Sequence, residues 1–178
     1  VASSYTDTVG NAGGAGTSAN YAVDTQAPSV SSVTVSDTAL KAGDTATLTI
    51  VFSEAVAAFA NEDVTIGSGA ISTLASSDSI TWTATLTPTA DTEDAANTVD
   101  VAASYTDTAG NAGAAGASSN YAVDTLAPSV SSITMADTTL LEGETTTLTI
   151  VFSEAVADFA NADVTVENGA ISTLASSD

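Results

Sequence analysis

Residues 80–87 read ITWTATLT. Every second side chain is apolar and every intervening one is threonine. A period of two puts these sets on opposite faces of a β-strand. Ile80, Trp82, Ala84 and Leu86 therefore face a core, while Thr81, Thr83, Thr85 and Thr87 form an outer, solvated face. Leu48, Ile50 and Phe52 alternate in the same way with Thr47, Thr49 and Val51, and Val99, Val101, Ala103 and Tyr105 form a third set. Shorter strands are expected near Val30–Val35, Val64–Ile66, Ala70–Leu74 and Asn120–Val123, separated by Gly, Asp, Asn and Ser turns. No stretch sustains a helical period.

The set recurs. Residues 1–78 align without gaps on residues 101–178, and 59 of the 78 positions are identical. YTDTVGNAG at Tyr5 returns as YTDTAGNAG at Tyr105, and TLTIVFSEAVA at Thr47 returns at Thr147. A period of about 100 residues is too long for a solenoid unit and suits a small domain. Ala27-Pro28 and Ala127-Pro128 follow the two NYAVDT segments. Proline removes a backbone donor and extends the residue before it, as at a domain entry. The expected division is 1–24, the tail of one repeat; 25–124, a complete repeat; and 125–178, the first half of a third. The chain starts in mid-pattern and reads as part of something longer. Its incomplete ends are expected to be poorly ordered or completed by neighbouring molecules. Seven short strands in about 100 residues predict an all-β chain of tandem Ig-like β-sandwich domains.

Composition narrows the function. The 178 residues carry 22 acids, one base (Lys41) and no histidine or cysteine, for a formal charge of −21. Nucleic acid needs many cations facing its phosphates, so it is not a partner. Zinc, haem and iron–sulfur sites of the usual kind, disulfides and His- or Cys-based nucleophiles are excluded. No apolar run approaches the roughly 20 residues of a membrane-spanning helix, and an anionic membrane surface would repel the chain. Hydrophobic residues make up 44%, which is too apolar for a disordered polyanion. No enzymatic activity is expected: Asp91 with Asp94, or Glu54 with Asp107, could pair as glycosidase carboxylates, but no cleft or aromatic sugar platform is evident. The Gly110, Gly113, Gly116 run lacks the lysine of a phosphate loop.

The acids have a topological pattern. In an Ig-like sandwich the chain start, the loop after the second strand and the loop before the last strand share one end. Asp24, Glu54, Asp63, Asp107 and Asn111 are expected there, with the copies Asp124, Glu154, Asp7 and Asn11 at the corresponding places of the other repeats. The opposite end carries Asp37, Asp44, Asp91, Glu93 and Asp94. The joint after Thr125 would then gather Asp91, Glu93 and Asp94 with Asp124 and Glu154. Two explanations fit. A hard cation, Ca2+ rather than the more hydrated Mg2+, bridges the carboxylates at the joints, or the acids simply keep the surface solvated.

The series DTQAPSVSSVTVSDTALKAGDTATLTIVFSEAV, FANEDVTIGSGAIS, ITWTATLTPTAD and YTDTAGNAG resembles the bacterial Ig-like repeats of giant secreted adhesins, of the RTX and biofilm-associated types. The resemblance implies type I secretion, bacterial cell-surface display and a structural extender that projects a distal ligand-binding domain. It also implies Ca2+ at the joints, on Asp24, Asp124, Glu54, Glu154, Asp107 and Asn111. The glycine- and aspartate-rich nonapeptides of RTX proteins are absent from the sequence. The expected partners are neighbouring repeats of the same chain, with extracellular polysaccharide or other adhesin chains as the alternative of a binding module. With strands of about 7 residues plus loops, each repeat would add about 40 Å of reach.

Overall fold

The computed structural model describes residues 1–176. Its strands are β1 (Val30–Val35), β2 (Ala39–Lys41), β3 (Ala46–Phe52), β4 (Val56–Ala57), β5 (Val64–Ile66), β6 (Gly69–Ile71), β7 (Thr81–Pro88), β8 (Glu93–Asn97), β9 (Val99–Val101), β10 (Thr106–Asp107), β11 (Gly116–Ala117), β12 (Tyr121–Asp124), β13 (Val130–Met135) and β14 (Leu148–Phe152). Single 3-10 turns at Asn61–Asp63 and Asn161–Asp163 are the helical elements among the described residues. The chain is all-β, with the layered sheets of an Ig-like sandwich.

One sheet runs β1-β3-β7-β6; the opposing layer is split into β5-β9-β11, β2-β12-β8 and β4-β10. The alternation in residues 80–87 explains the first sheet. Ala46, Leu48 and Ile50 stand opposite Leu86, Ala84 and Trp82, while Thr47 and Thr49 stand opposite Thr85 and Thr83. The first group faces inward, so Leu48, Ile50 and Leu86 have no exposed surface. Trp82 is half-buried and packs against this core. Burying each such side chain contributes about 1.5–3 kcal/mol. At one end the rings of Phe52, Phe59, Tyr105 and Trp82 interlock, with centroids 4.7 Å apart for Phe52–Tyr105 and 5.3 Å for Phe59–Trp82.

Three strand expectations are corrected. The acidic segment ADTEDAAN (residues 90–97), where no strand was expected, contains β8, which pairs with β12. The stretch between the expected strands at Val30–Val35 and Thr47–Phe52 contains β2. The set Val99–Tyr105 is interrupted: β9 ends at Val101, and Tyr105 is buried beyond the break. Its hydroxyl donates to the Ala114 carbonyl at 2.6 Å. Tyr121, likewise buried, donates to the Gly67 carbonyl. Both act as corner tyrosines that tie a loop to a strand end.

The end segments differ from the middle one. Within residues 1–29 the only pairing is the bridge Thr6–Ala12. Residues 125–176 form the two-stranded sheet β13-β14 and no closed sandwich. There Ile133 is 62% exposed, whereas its copy Val33 is 7% exposed in the core.

The link between repeats is tied at both sides. Thr125 donates its N–H to the Thr92 carbonyl (2.8 Å), and its hydroxyl donates to the Thr89 carbonyl (2.6 Å). The Thr92 N–H returns to Thr125 Oγ1 at 3.0 Å. Ser129 donates its N–H to Ser153 Oγ (2.9 Å), and Ser153 donates back to the Ser129 carbonyl (2.8 Å). Ser29 and Ser53 make the same exchange at the entry to the middle repeat.

Candidate metal centre

The entry end of the middle repeat is assembled by two short strands. β3 ends at buried Phe52, and Glu54 follows two residues later. β4 then pairs with β10, with Asp107 opposite Val56. This pairing sets the segment carrying Glu54 beside the loop carrying Asp107. Asp24 arrives from the preceding linker. One carboxylate oxygen from each of Asp24, Glu54 and Asp107 lies within 4.8 Å of the other two.

The three are held differently. Asp107 is buried, and its Oδ1 accepts the N–H groups of Ala109 and Asn111, both at 2.8 Å. Its Oδ2 accepts Asn111 Nδ2 at 2.7 Å. That side-chain bond, aided by the backbone ones, holds the Asp107 carboxyl below the usual carboxylate range. Gly110, with φ at +94°, allows the tight return of this loop. Asn111 Nδ2 also reaches the Asp24 carbonyl at 3.3 Å, joining the loop to the linker. Asp24 is exposed and caps its own turn by accepting the Gln26 N–H at 3.1 Å.

Glu54 is the anomaly. Its Oε1 is buried and has no hydrogen-bond partner. Burial, then the charges of Asp24 and Asp107, push its carboxyl above the usual range. Lys41, the sole base, lies on β2 in register with Asp124 rather than in the cluster. An oxygen-only donor set, crowded with negative charge and including an orphaned buried oxygen, fits a hard cation with oxygen ligands. Asp24, Glu54 and Asp107 would hold it, and carbonyls or water would complete the six to eight oxygens that Ca2+ takes.

The opposed shifts predict a pH signature. Folding raises Glu54 above its usual 4.5, so its ionised form opposes folding, and that opposition is relieved as pH falls through the raised value. Folding lowers Asp107 below its usual 3.8, so its stabilisation persists until pH falls through the lowered value. In chelator, the melting midpoint is expected to rise as pH drops from neutral toward 4.5, and to fall below 3.8. Glu54→Gln is expected to flatten the rise and leave the fall. An unchanged rise in the variant would detach it from Glu54.

The other acids expected at a site are placed elsewhere or are left without partners for one. Asp63 does not join the cluster. Its carboxylate is occupied by the Ala60 N–H at 2.9 Å and the Ser104 hydroxyl, and it locks the 3-10 turn in place. Asp91 and Asp94 form no such group with Asp124 and Glu154: Asp94 lies on β8 opposite Val123, and of the expected set Glu93 alone stands opposite Asp124. Asp94 accepts the Ser68 hydroxyl and the Ala96 N–H, each at 3.0 Å. No second group of three acids closes as tightly among the described residues. Asp7 and Asn11 repeat the Asp107–Asn111 bonds, including the 2.7 Å side-chain contact, and Asp7 is likewise lowered by Asn11. Glu154 repeats the orphaned buried Oε1 of Glu54.

Sequence inspection missed Asn61, whose side chain accepts the Leu74 N–H and donates to the Ser72 carbonyl, both at 2.9 Å. Its copy Asn161 does the same for Leu174 and Ser172. The recurrence of this asparagine at the repeat offset was the available signal.

No curated protein and no solved structure matches the chain. The family profile of the bacterial Ig-like domain matches residues 24–123 and again residues 124–178. These matches span most of the sequence, and the first falls on the sandwich just described, so the chain belongs to the bacterial Ig-like domain family.

Proposed function

We propose that this chain is a structural extender segment of a secreted, cell-surface bacterial adhesin, stiffened by Ca2+ at the joints between its repeats. The observation that carries the proposal is the meeting of Asp24 with Glu54 and Asp107 around an unpartnered buried oxygen. Asp24 is the copy of Asp124, which ends the last strand of its own repeat. In an array, a cation on this triad would therefore tie the segment that ends one repeat to two loops of the next. Other features support the same reading. Domains of this family are usually extracellular or surface-displayed and typically non-catalytic. No helix among the described residues is long and apolar enough to cross a membrane. Near-identical neighbours suit a spacer, whose task is length, better than a receptor, which needs a distinctive patch.

The test is calorimetric titration of Ca2+, and separately Mg2+, into the full chain. Binding of Ca2+ is expected at concentrations where Mg2+ gives no heat. Asp24→Asn, which can keep the bond from the Gln26 N–H on its remaining Oδ1 while removing a charge, is expected to weaken that binding. Absence of Ca2+ binding to the unaltered chain would remove the ion from the proposal and leave the acids as solvating charge.

A further inference from the structure

We infer that a second copy of this chain docks on the open face of residues 125–176, inserting its own residues 1–24 there. The middle repeat is the template for the contact. Its Tyr105 ring is fully buried against Phe52 and Phe59, and β10 lies on β4 with Thr106 opposite Ala57. Both sides of that contact recur in the chain, but apart. Phe152 and Phe159 keep the edge-on geometry of Phe52 and Phe59, with centroids again 4.9 Å apart, and no third ring packs on them among the described residues. With Leu148, Ile150, Val156 and Leu174 they line a trough of about 970 Å³. The inserting side is already shaped. Tyr5 donates its hydroxyl to the Gly14 carbonyl at 2.9 Å, as Tyr105 does to that of Ala114, and Asn11 bonds Asp7 as Asn111 bonds Asp107. Yet Tyr5, Tyr21 and Val23 are more than half exposed, whereas their copies Tyr105, Tyr121 and Val123 are at most 1% exposed.

Residue identity and position select a second copy as the occupant. Tyr5, Thr6, Asp7 and Asn11 are the same residues as those at 105, 106, 107 and 111, and Phe152, Val156 and Phe159 repeat those at 52, 56 and 59. The docked hairpin lays Thr6 and Asp7 on residues 156–157 and seats Tyr5 against both rings. Asn111 holds Asp24 at the entry end of the middle repeat, Thr89 and Thr92 hold Thr125, and β7 runs between those two ends. The hairpin and the trough of one chain therefore leave that repeat by opposite ends, and each meets its complement on another copy. Such a contact is heterologous, so copies add head to tail. Removal of apolar surface from water drives it. Repulsion is modest, because residues 1–24 carry only Asp7 and Asp24 of the 22 acids. Asp7 comes beside Glu154 as Asp107 stands beside Glu54, a meeting that the middle repeat tolerates. The junction has no counterpart of β7 or β8, which makes it a reversible contact rather than a sealed domain. It needs no ion, so it stands apart from the Ca2+ proposal.

Light scattering on the full chain, at rising concentration and physiological salt, in chelator and in Ca2+, reads the mass directly. In chelator the mean mass is expected to climb beyond the 17.4 kDa of one chain. Tyr5→Ala removes the inserted ring and Phe159→Ala removes part of its seat. Neither residue lies in the middle repeat, so a melting midpoint equal to the parent's verifies that each variant is folded. Each variant alone is expected to stay a single chain. Mixed in equal amounts they are expected to pair and stop at two chains, since one keeps only the seat and the other only the inserting ring. A parent that stays single at every concentration, or variants that associate alone as the parent does, would overturn the docking. So would a mixture that stays single. A mass that grows in Ca2+ but not in chelator would also overturn it, assigning the association to bridging by the ion.

Discussion

Gly113→Ala is expected to destabilise the middle repeat by about 3 kcal/mol, the upper part of the usual range for overpacking. The new methyl carbon would stand 2.2 Å from Cε2 and 2.4 Å from Cζ of the Tyr105 ring. The ring cannot retreat. It is fully buried, with its centroid 4.7 Å from the tilted ring of Phe52 and 5.9 Å from the edge-on ring of Phe59, and its hydroxyl is fixed on the Ala114 carbonyl. At about 4–8 °C per kcal/mol for a domain of this size, the midpoint should fall by more than 10 °C. The chain supplies its own control. Gly13 makes the same approach to Tyr5, with an added Cβ 2.0 Å from Cε2, but Tyr5 is 52% exposed and held at its tip only by an exposed hydroxyl bond to the Gly14 carbonyl (2.9 Å), so its ring has room to swing aside. Gly13→Ala is therefore expected to leave the melt unchanged. Thermal denaturation by circular dichroism checks both; a Gly113→Ala midpoint within a few degrees of the parent would show that the ring accommodates the methyl.

Saturating Ca2+ is expected to raise the melting midpoint of the full chain by 10 °C or more, with Mg2+ giving little change. An ion that binds only the folded state adds about 2.7 kcal/mol when its free concentration is 100 times the dissociation constant, and about 4.1 kcal/mol at 1,000 times. Selectivity follows from the donors. Asp24 is exposed and adjustable, whereas Asp107 is fixed by three hydrogen bonds. Such a mixed, irregular cage suits the flexible coordination of Ca2+ better than the strict octahedron of Mg2+. Asp24→Asn should reduce the Ca2+ gain while leaving the midpoint in chelator equal or higher, since it also removes repulsion from Glu54. Coincident melts of the parent in Ca2+, Mg2+ and chelator would refute ion-clamped joints.

The repeat, the strands with threonine outer faces and the loops carrying the acidic triad were legible because each is written locally. Alternation sets a strand's faces, and strand order sets which loops share an end. Less legible were elements whose structure comes from a partner. Glu93–Asn97 has a turn-like, acidic composition, yet β12 draws it into a sheet; strand formation here reflects context more than propensity. Asp63 looked like a ligand because nothing local reveals that Ser104, 41 positions away, occupies its carboxylate. The orphaned oxygen of Glu54 is also a property of packing. Sequence could place the glutamate near the triad but could not show that its oxygen lacks a partner.

The double tether of the linker also bears on the array as a polymer. Thr125 is fastened to one repeat and Ser129 to the next, so Leu126, Ala127 and Pro128 alone lie between the tied residues. Even a flexible spacer of three residues has a root-mean-square length of only about 10 Å, no more than the roughly 10 Å separation of two packed sheets. Successive domains would therefore lie within excluded-volume reach of one another, and proline fixes one of the few remaining torsions. A string of such repeats would behave as a jointed rod whose statistical segment is at least one whole domain. Its end-to-end distance would grow with the number of domains rather than residues, and an ion at the joint would have only a narrow cone of orientations left to select.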